Sequence, residues 1–193
     1  IERRRMEGAE AHEHVGPDHE HEEDGHAHPA DGADPHIWLS PPLVKRQAET
    51  ICDALVRLDP AHSEAYRANL AKFEADLDAL HQRLTKALAP LRGREMFVFH
   101  PAFGYFADAY GLHQVPVEIQ GKEPSARALA TLIAKAQQAQ VRVIFVQPQF
   151  SQRSAESIAT AIGAAVVPLD PLARDYLTNM QHIAERVEEA LGE

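Results

Sequence analysis

Three short stretches of this 193-residue chain carry side chains able to hold a cation, and each of those side chains sits beside a proline. Asp34-Pro35-His36-Ile37-Trp38-Leu39-Ser40-Pro41 places one histidine between a rigid Asp-Pro step and a helix start. His100-Pro101 follows an apolar run, and Asp170-Pro171 follows another. Neutral imidazole nitrogen and carboxylate oxygen are the donors that a borderline divalent metal accepts. Plainer roles are open to the same residues: His100 as a capping or loop histidine, Asp170 as a turn former or helix cap. Position alone leaves both readings standing.

A fourth stretch is rich in the same chemistry but poor in everything else. Residues 1–33 hold six of the twelve histidines, namely His12, His14, His19, His21, His26 and His28. Glu, Asp, Gly and Pro separate them, with almost nothing apolar to offset the entropy cost of ordering. The composition predicts a flexible loop that binds metal weakly through several imidazoles; a solvated acidic linker is the plain alternative.

Composition narrows the partners. The formal net charge is -10, with 29 acidic against 19 basic residues, which argues against nucleic acid, since phosphate contacts need clustered Lys and Arg. Cys52 is the only cysteine, so no internal disulfide forms and thiolate zinc sites are excluded. No apolar run approaches the ~20 residues needed to span a bilayer. Arg3-Arg4-Arg5 is followed by acid and histidine rather than an apolar core, unlike a signal peptide, and the chain opens on Ile1. A fragment whose upstream part is missing is expected.

The elements that must position these residues follow from periodicity. Ser40-Pro41-Pro42 starts a helix to about Leu58, with the Ser40 hydroxyl expected to accept from a first-turn N–H. Leu43, Ala48, Ile51, Leu55 and Leu58 give it an apolar side, with Cys52 expected to be buried there. A long helix over His62–Ala89 carries a stripe of Tyr66, Leu70, Phe73, Leu77, Leu80, Leu84 and Leu88. At 1.5 Å per residue it would span roughly 40 Å, which suits a strut between lobes or a coiled-coil partner. His62, His81, His113 and His182 are expected at the surface.

Beyond Gly93, strands and helices alternate: strands over 95–99, 114–119, 141–146 and 165–169, helices over 102–110, 125–139, 154–162 and 175–191. Four such units predict an α/β fold with a parallel sheet wrapped by helices. In such a sheet ligands bind beyond the carboxyl ends of the strands, where His100, Glu118, Gln120, Gln147 and Asp170 fall. For Glu118 and Gln120 a strand-end hydrogen bond is the expected role, and for Trp38, packing.

Asp34–Pro41, then Phe99-His100-Pro101-Ala102-Phe103-Gly104-Tyr105-Phe106 with Tyr110-Gly111-Leu112, then Leu169-Asp170-Pro171-Leu172, resemble the metal-binding solute receptors of ABC importers, and the zinc receptors in particular. The acidic histidine-rich segment ahead of the first motif is similar to theirs as well. The resemblance implies a two-lobe fold joined by a rigid helix. It divides the chain into a loop over 1–33, a remnant of the amino-terminal lobe over 34–59, the linking helix over 60–92 and a carboxy-terminal α/β lobe over 93–193. His36, His100 and Asp170 would be metal ligands, with a further histidine expected from the missing lobe. Zinc, not manganese, is implied by histidine rather than glutamate at position 100.

The implied activity is capture of Zn2+ in the periplasm and its delivery to a membrane permease, by a monomer that is not an enzyme. The loop histidines would act as a low-affinity collector or sensor. A zinc metallohydrolase using Glu118 as base is the competing class, and a metal buffer without a transporter is a third. No His-Glu-x-x-His motif, nucleophile elbow or phosphate loop supports the hydrolase. Because ligation needs neutral imidazole, calorimetric zinc affinity is expected to fall below about pH 6.5. Unchanged affinity at pH 5 counts against histidine ligation.

Overall fold

The computed structural model describes residues 4–6, 32–118, 126–150 and 152–192. The histidine-rich segment, with His12, His14, His19, His21, His26 and His28, lies outside them, as does Gln120. Four parallel strands form one sheet: β1 (Glu95–Val98), β2 (His113–Pro116), β3 (Val143–Val146) and β4 (Ala165–Pro168), in the order β2-β1-β3-β4. The chain runs from β1 out to β2 and then resumes on the other side of β1 with β3. That reversal opens a crevice between the carboxyl ends of β1 and β3, the place where ligands bind in open parallel sheets.

Six helices accompany the strands among the described residues: α1 (Pro41–Leu58), α2 (Ser63–Leu88), α3 (Gly104–Tyr110), α4 (Ala126–Gln138), α5 (Gln152–Ile162) and α6 (Tyr176–Leu191). Alternation along the strands divides the core in two, because successive side chains point to opposite faces. Met96, Val98, Val143 and Phe145 pack with Leu80, Leu84 and Leu88 of α2, Phe106 of α3 and Met180, Ile183 and Val187 of α6. Phe97, Phe99, Ile144 and Val146 face the other way, toward Ala136 of α4 and Ala155, Ile158 and Ala159 of α5. Strands buried on both faces read as continuous apolar runs, which is why Val-Ile-Phe-Val announces β3 so clearly.

Several boundaries and environments differ from the sequence reading. β2 begins at His113 rather than Gln114, so His113 is an exposed strand residue and not a turn residue. Ser40 occupies the N-cap of α1, yet its side chain caps nothing; Pro41 and Pro42 leave no N–H at the first two helical positions. His81 is half-buried, with Nδ1 3.3 Å from the Tyr110 hydroxyl, instead of facing solvent. The long helix, Ser63–Leu88, buries only the second half of its stripe, from Leu77 onward.

Its first half packs against α1, and there the apolar side of α1 is open: Ile51 is 59%, Leu55 38% and Leu58 83% exposed. Cys52 alone on that helix's hydrophobic side is buried, together with Pro41 at its start. Among the described residues no helix is long and apolar enough to cross a membrane.

The contrast along α1 and α2 sets a stability prediction. Leu84→Ala, at 2% exposure, removes core volume and is expected to cost about 2–5 kcal/mol in urea unfolding. Leu58→Ala is expected to stay within about 0.5 kcal/mol. Equal losses at the two positions would contradict this placement of the core.

Candidate metal centre

His36 is built by the two residues before it. Pro35 stiffens the turn, and Asp34 Oδ1 accepts from both the His36 backbone N–H (2.9 Å) and the ring Nδ1 (2.7 Å). A carboxylate can only accept, so Nδ1 carries the proton and Nε2 presents its lone pair. Asp34 is 3% and His36 9% exposed, so this pair is shielded from competing water. A 3-10 turn over Ile37–Leu39 then leads into α1, driving Leu39 into the core at 1% exposure.

His100 is built in the same way from different elements. It leaves β1 at the crevice, and its Nδ1 lies 2.5 Å from Glu118 Oε1, beyond the end of β2. Glu118 is 3% exposed, so the strand-end bond expected of it is made to the imidazole itself. Gln147, fully buried beyond β3, clamps the backbone on both sides: its Oε1 accepts from His100 N–H (3.2 Å) and its Nε2 donates to His100 O (2.7 Å). Phe150 stacks on the ring, with centroids 4.6 Å apart and planes 20° from parallel.

The two imidazoles meet. Their centroids are 5.2 Å apart at 78°, although the residues are far apart in sequence and come from different elements. With both Nδ1 positions held by buried carboxylates, both Nε2 atoms remain as donors. A carboxylate behind a ligating imidazole fixes its tautomer and raises its basicity. This donor chemistry suits zinc.

Asp170 stands apart from that pair. Its Oδ1 accepts from Gln149 Nε2 (2.8 Å) and from Leu172 N–H (2.9 Å), and its carbonyl accepts from Asn179 Nδ2 (2.8 Å). Among the described residues no three His, Cys, Asp or Glu side chains are gathered closely enough to hold an ion together. The loops are nonetheless tied: Trp38 Nε1 donates to Pro171 O at 3.0 Å, and the Trp38 ring lies 5.3 Å from that of His36. Trp38 therefore does more than pack, since it fastens the His36 turn to the loop of Asp170. Beside this tie, Tyr176 is partly buried, and desolvation pushes its hydroxyl, like that of Tyr110, above the ordinary phenol range.

An α/β lobe with paired imidazoles at the switch point of a parallel sheet can hold a metal ion, and comparison with known proteins shows which class of metal-binding protein it is. The family model described as ZnuA, the periplasmic component A of a zinc-uptake complex, matches residues 2–190. The chain belongs to the ZnuA family. It is 38% identical over 169 residues to the high-affinity zinc uptake system protein ZnuA of Bacillus subtilis, covering 86% of this chain and 51% of that protein. The ZnuA of Haemophilus influenzae is 31% identical over 166 residues, covering 81% and 49%.

Among solved structures, a crystal structure of ZnuA superposes with a TM-score of 0.80 at 48% identity, covering 83% of this chain and 61% of that one. A zinc-bound ZnuA deletion mutant gives 0.78 at 49% identity, covering 83% and 62%. The chain spans about half the length of the curated relatives it matches.

Asp34 and Glu118 were visible in the sequence only as a stiff turn and a strand end, and Phe150 carried no signal at all. Asp34→Asn and Glu118→Gln each keep the shape and remove the charge behind an imidazole. Each is expected to weaken zinc binding about 10–100-fold in a competition titration. Parent-like affinity in both would remove the orienting role.

Proposed function

We propose that this chain captures zinc through His36, His100 and Asp170 and delivers it, on the periplasmic side, to the membrane permease of an ABC importer. The observation that carries this reading is the pair of imidazoles 5.2 Å apart, each with Nδ1 held by a carboxylate and Nε2 left to ligate. Asp170 joins them by turning its carboxylate from Gln149 toward the ion, a reading supported by the Trp38 bond that ties its loop to the His36 turn. Water or a further side chain completes the shell. The zinc-uptake names of the relatives support zinc as cargo.

The division into a loop over 1–33, a segment of a first lobe over 34–59, a linking helix over 60–92 and an α/β lobe over 93–193 is part of the same proposal. So is a monomer without nucleic-acid partners, in keeping with a net charge of -10. A nanomolar site is worth about 12 kcal/mol, so release at the permease requires distortion of the shell or competition for the ion. Against a hydrolase, Glu118, its candidate base, is buried with Oε1 engaged by His100 Nδ1.

X-ray absorption at the zinc edge is expected to report imidazole nitrogen at about 2.0–2.1 Å and carboxylate oxygen at about 2.0–2.2 Å. His36→Ala, His100→Ala and Asp170→Ala should each cost more than the roughly 10–100-fold typical of an orienting partner. A spectrum without imidazole scattering, or full affinity in the histidine variants, defeats the reading.

A further inference from the structure

We propose that Arg4 is a positioning residue for His36, acting through Asp34, and that position 104 is glycine so that the Arg4 guanidinium can pass over it. The proposal rests on the reading of His36 as a zinc ligand. Arg4 lies in a short described segment, residues 4–6, that is bridged to the residues just before His36. Arg5 and Ala33 form an antiparallel bridge, Asp34 N–H donates to Arg4 O at 2.9 Å, and Met6 N–H donates to Gly32 O at 2.8 Å.

The Arg4 side chain is then fixed from below by α3. Its Nε donates to Asp108 Oδ2 at 2.7 Å, and its backbone N–H donates to the Tyr105 hydroxyl at 2.9 Å. This places Nη1 3.7 Å from Asp34 Oδ2, a charge contact longer than a hydrogen bond. Asp34 spends its other oxygen on His36, so the carboxylate has a cation on one side and an imidazole on the other. A buried carboxylate without such a neighbour would be costly and free to rotate.

Gly104 gives the independent sign that this arrangement is built in. A Cβ at that position would collide with Arg4 Nη1 and lie 2.6 Å from Cζ and 2.9 Å from Asp34 Oδ2. Gly104 opens α3 without a left-handed φ, so it serves by occupying no space and not by bending the chain. The same helix follows directly on the turn of His100. One short helix thus supports Arg4 and, through Asp34, one imidazole, while its approach segment carries the other. The mutual placement of the two donors passes through α3.

Arg4→Ala, Gly104→Ala and the double variant test this by competition with a chromophoric zinc chelator. Each single change is expected to weaken zinc binding about tenfold, and the double by less than the product of the two, because with the guanidinium gone the methyl group at 104 meets only Asp34 Oδ2. Gly104→Ala should lower the metal-free unfolding temperature no more than Arg4→Ala does, since both take the cation from Asp34 and alanine itself suits a helix. Ring 15N shifts of His36 in the metal-free protein should pass from a single Nδ1-protonated form to a mixture of tautomers in each variant.

Unchanged affinity, or losses that multiply in the double variant, overturns the proposal. So does a gain in affinity, which would mark Arg4 as a charge that repels the ion. His36→Ala is measured alongside: if parent affinity does not depend on His36, the reading of the site falls, and the Arg4 role falls with it. If that dependence holds and the Arg4 effects fail, only the positioning role is lost.

Discussion

An imidazole offers one nitrogen's lone pair when its proton sits on the other, and a carboxylate at that second nitrogen fixes this tautomer; the structure makes the arrangement twice. Asp34 holds the proton of His36, and Glu118 holds that of His100. Both carboxylates are 3% exposed. Burial is what gives the arrangement its force, because a carboxylate in water would exchange the imidazole for solvent. It also creates the cost that the rest of the site must offset, since each buried negative charge needs hydrogen bonds or a cation close by. The backbone N–H of His36 and the guanidinium of Arg4 meet that need for Asp34.

The sheet supplies the other constraint. A parallel sheet whose order reverses beside β1 leaves an open crevice at one point on its edge, and His100 stands at that point. Gln147 crosses from the neighbouring strand to take both backbone groups of His100 where β1 ends, pairing its N–H and adding a second bond to the carbonyl that Ala102 N–H also uses. Packing on the two faces keeps the edge rigid: Met96 and Val98 on one side, Phe97 and Phe99 on the other. The His36 turn is brought to this edge from outside the sheet, anchored by Leu39 in the core and by the bond from Trp38 to Pro171. Function sits on loops, but each loop is tied to the scaffold at a named atom.

The apolar side of α1 is the clearest case in which periodicity and environment part. Its spacing is that of a core-facing helix, yet Ile51, Leu55 and Leu58 are exposed. Periodicity reports which residues lie on one side of a helix, while burial depends on what packs there, and α2 covers only part of that side. In the same way the stripe on α2 is continuous in sequence but is buried only from Leu77, and from Leu80 it packs with the sheet and α6. His81 shows the converse, a polar residue near the edge of the stripe that comes to rest against Tyr110.

By itself the amino-acid sequence determined the order of strands and helices, the parallel α/β class and the two histidines worth watching. These are local matters: apolar runs, proline positions and glycine stops act within a few residues. The family likeness is carried by motifs of the same short range. Only the tertiary structure decided that the rings of His36 and His100 lie side by side, that Asp34 and Glu118 stand behind them, and that Asp170 is turned toward Gln149. Those relations join residues that are far apart along the chain, such as Arg4 with Asp108 or Trp38 with Pro171, and no local preference encodes a distance in space. They follow from how the helices close on the sheet, where burial makes each polar contact either satisfied or expensive.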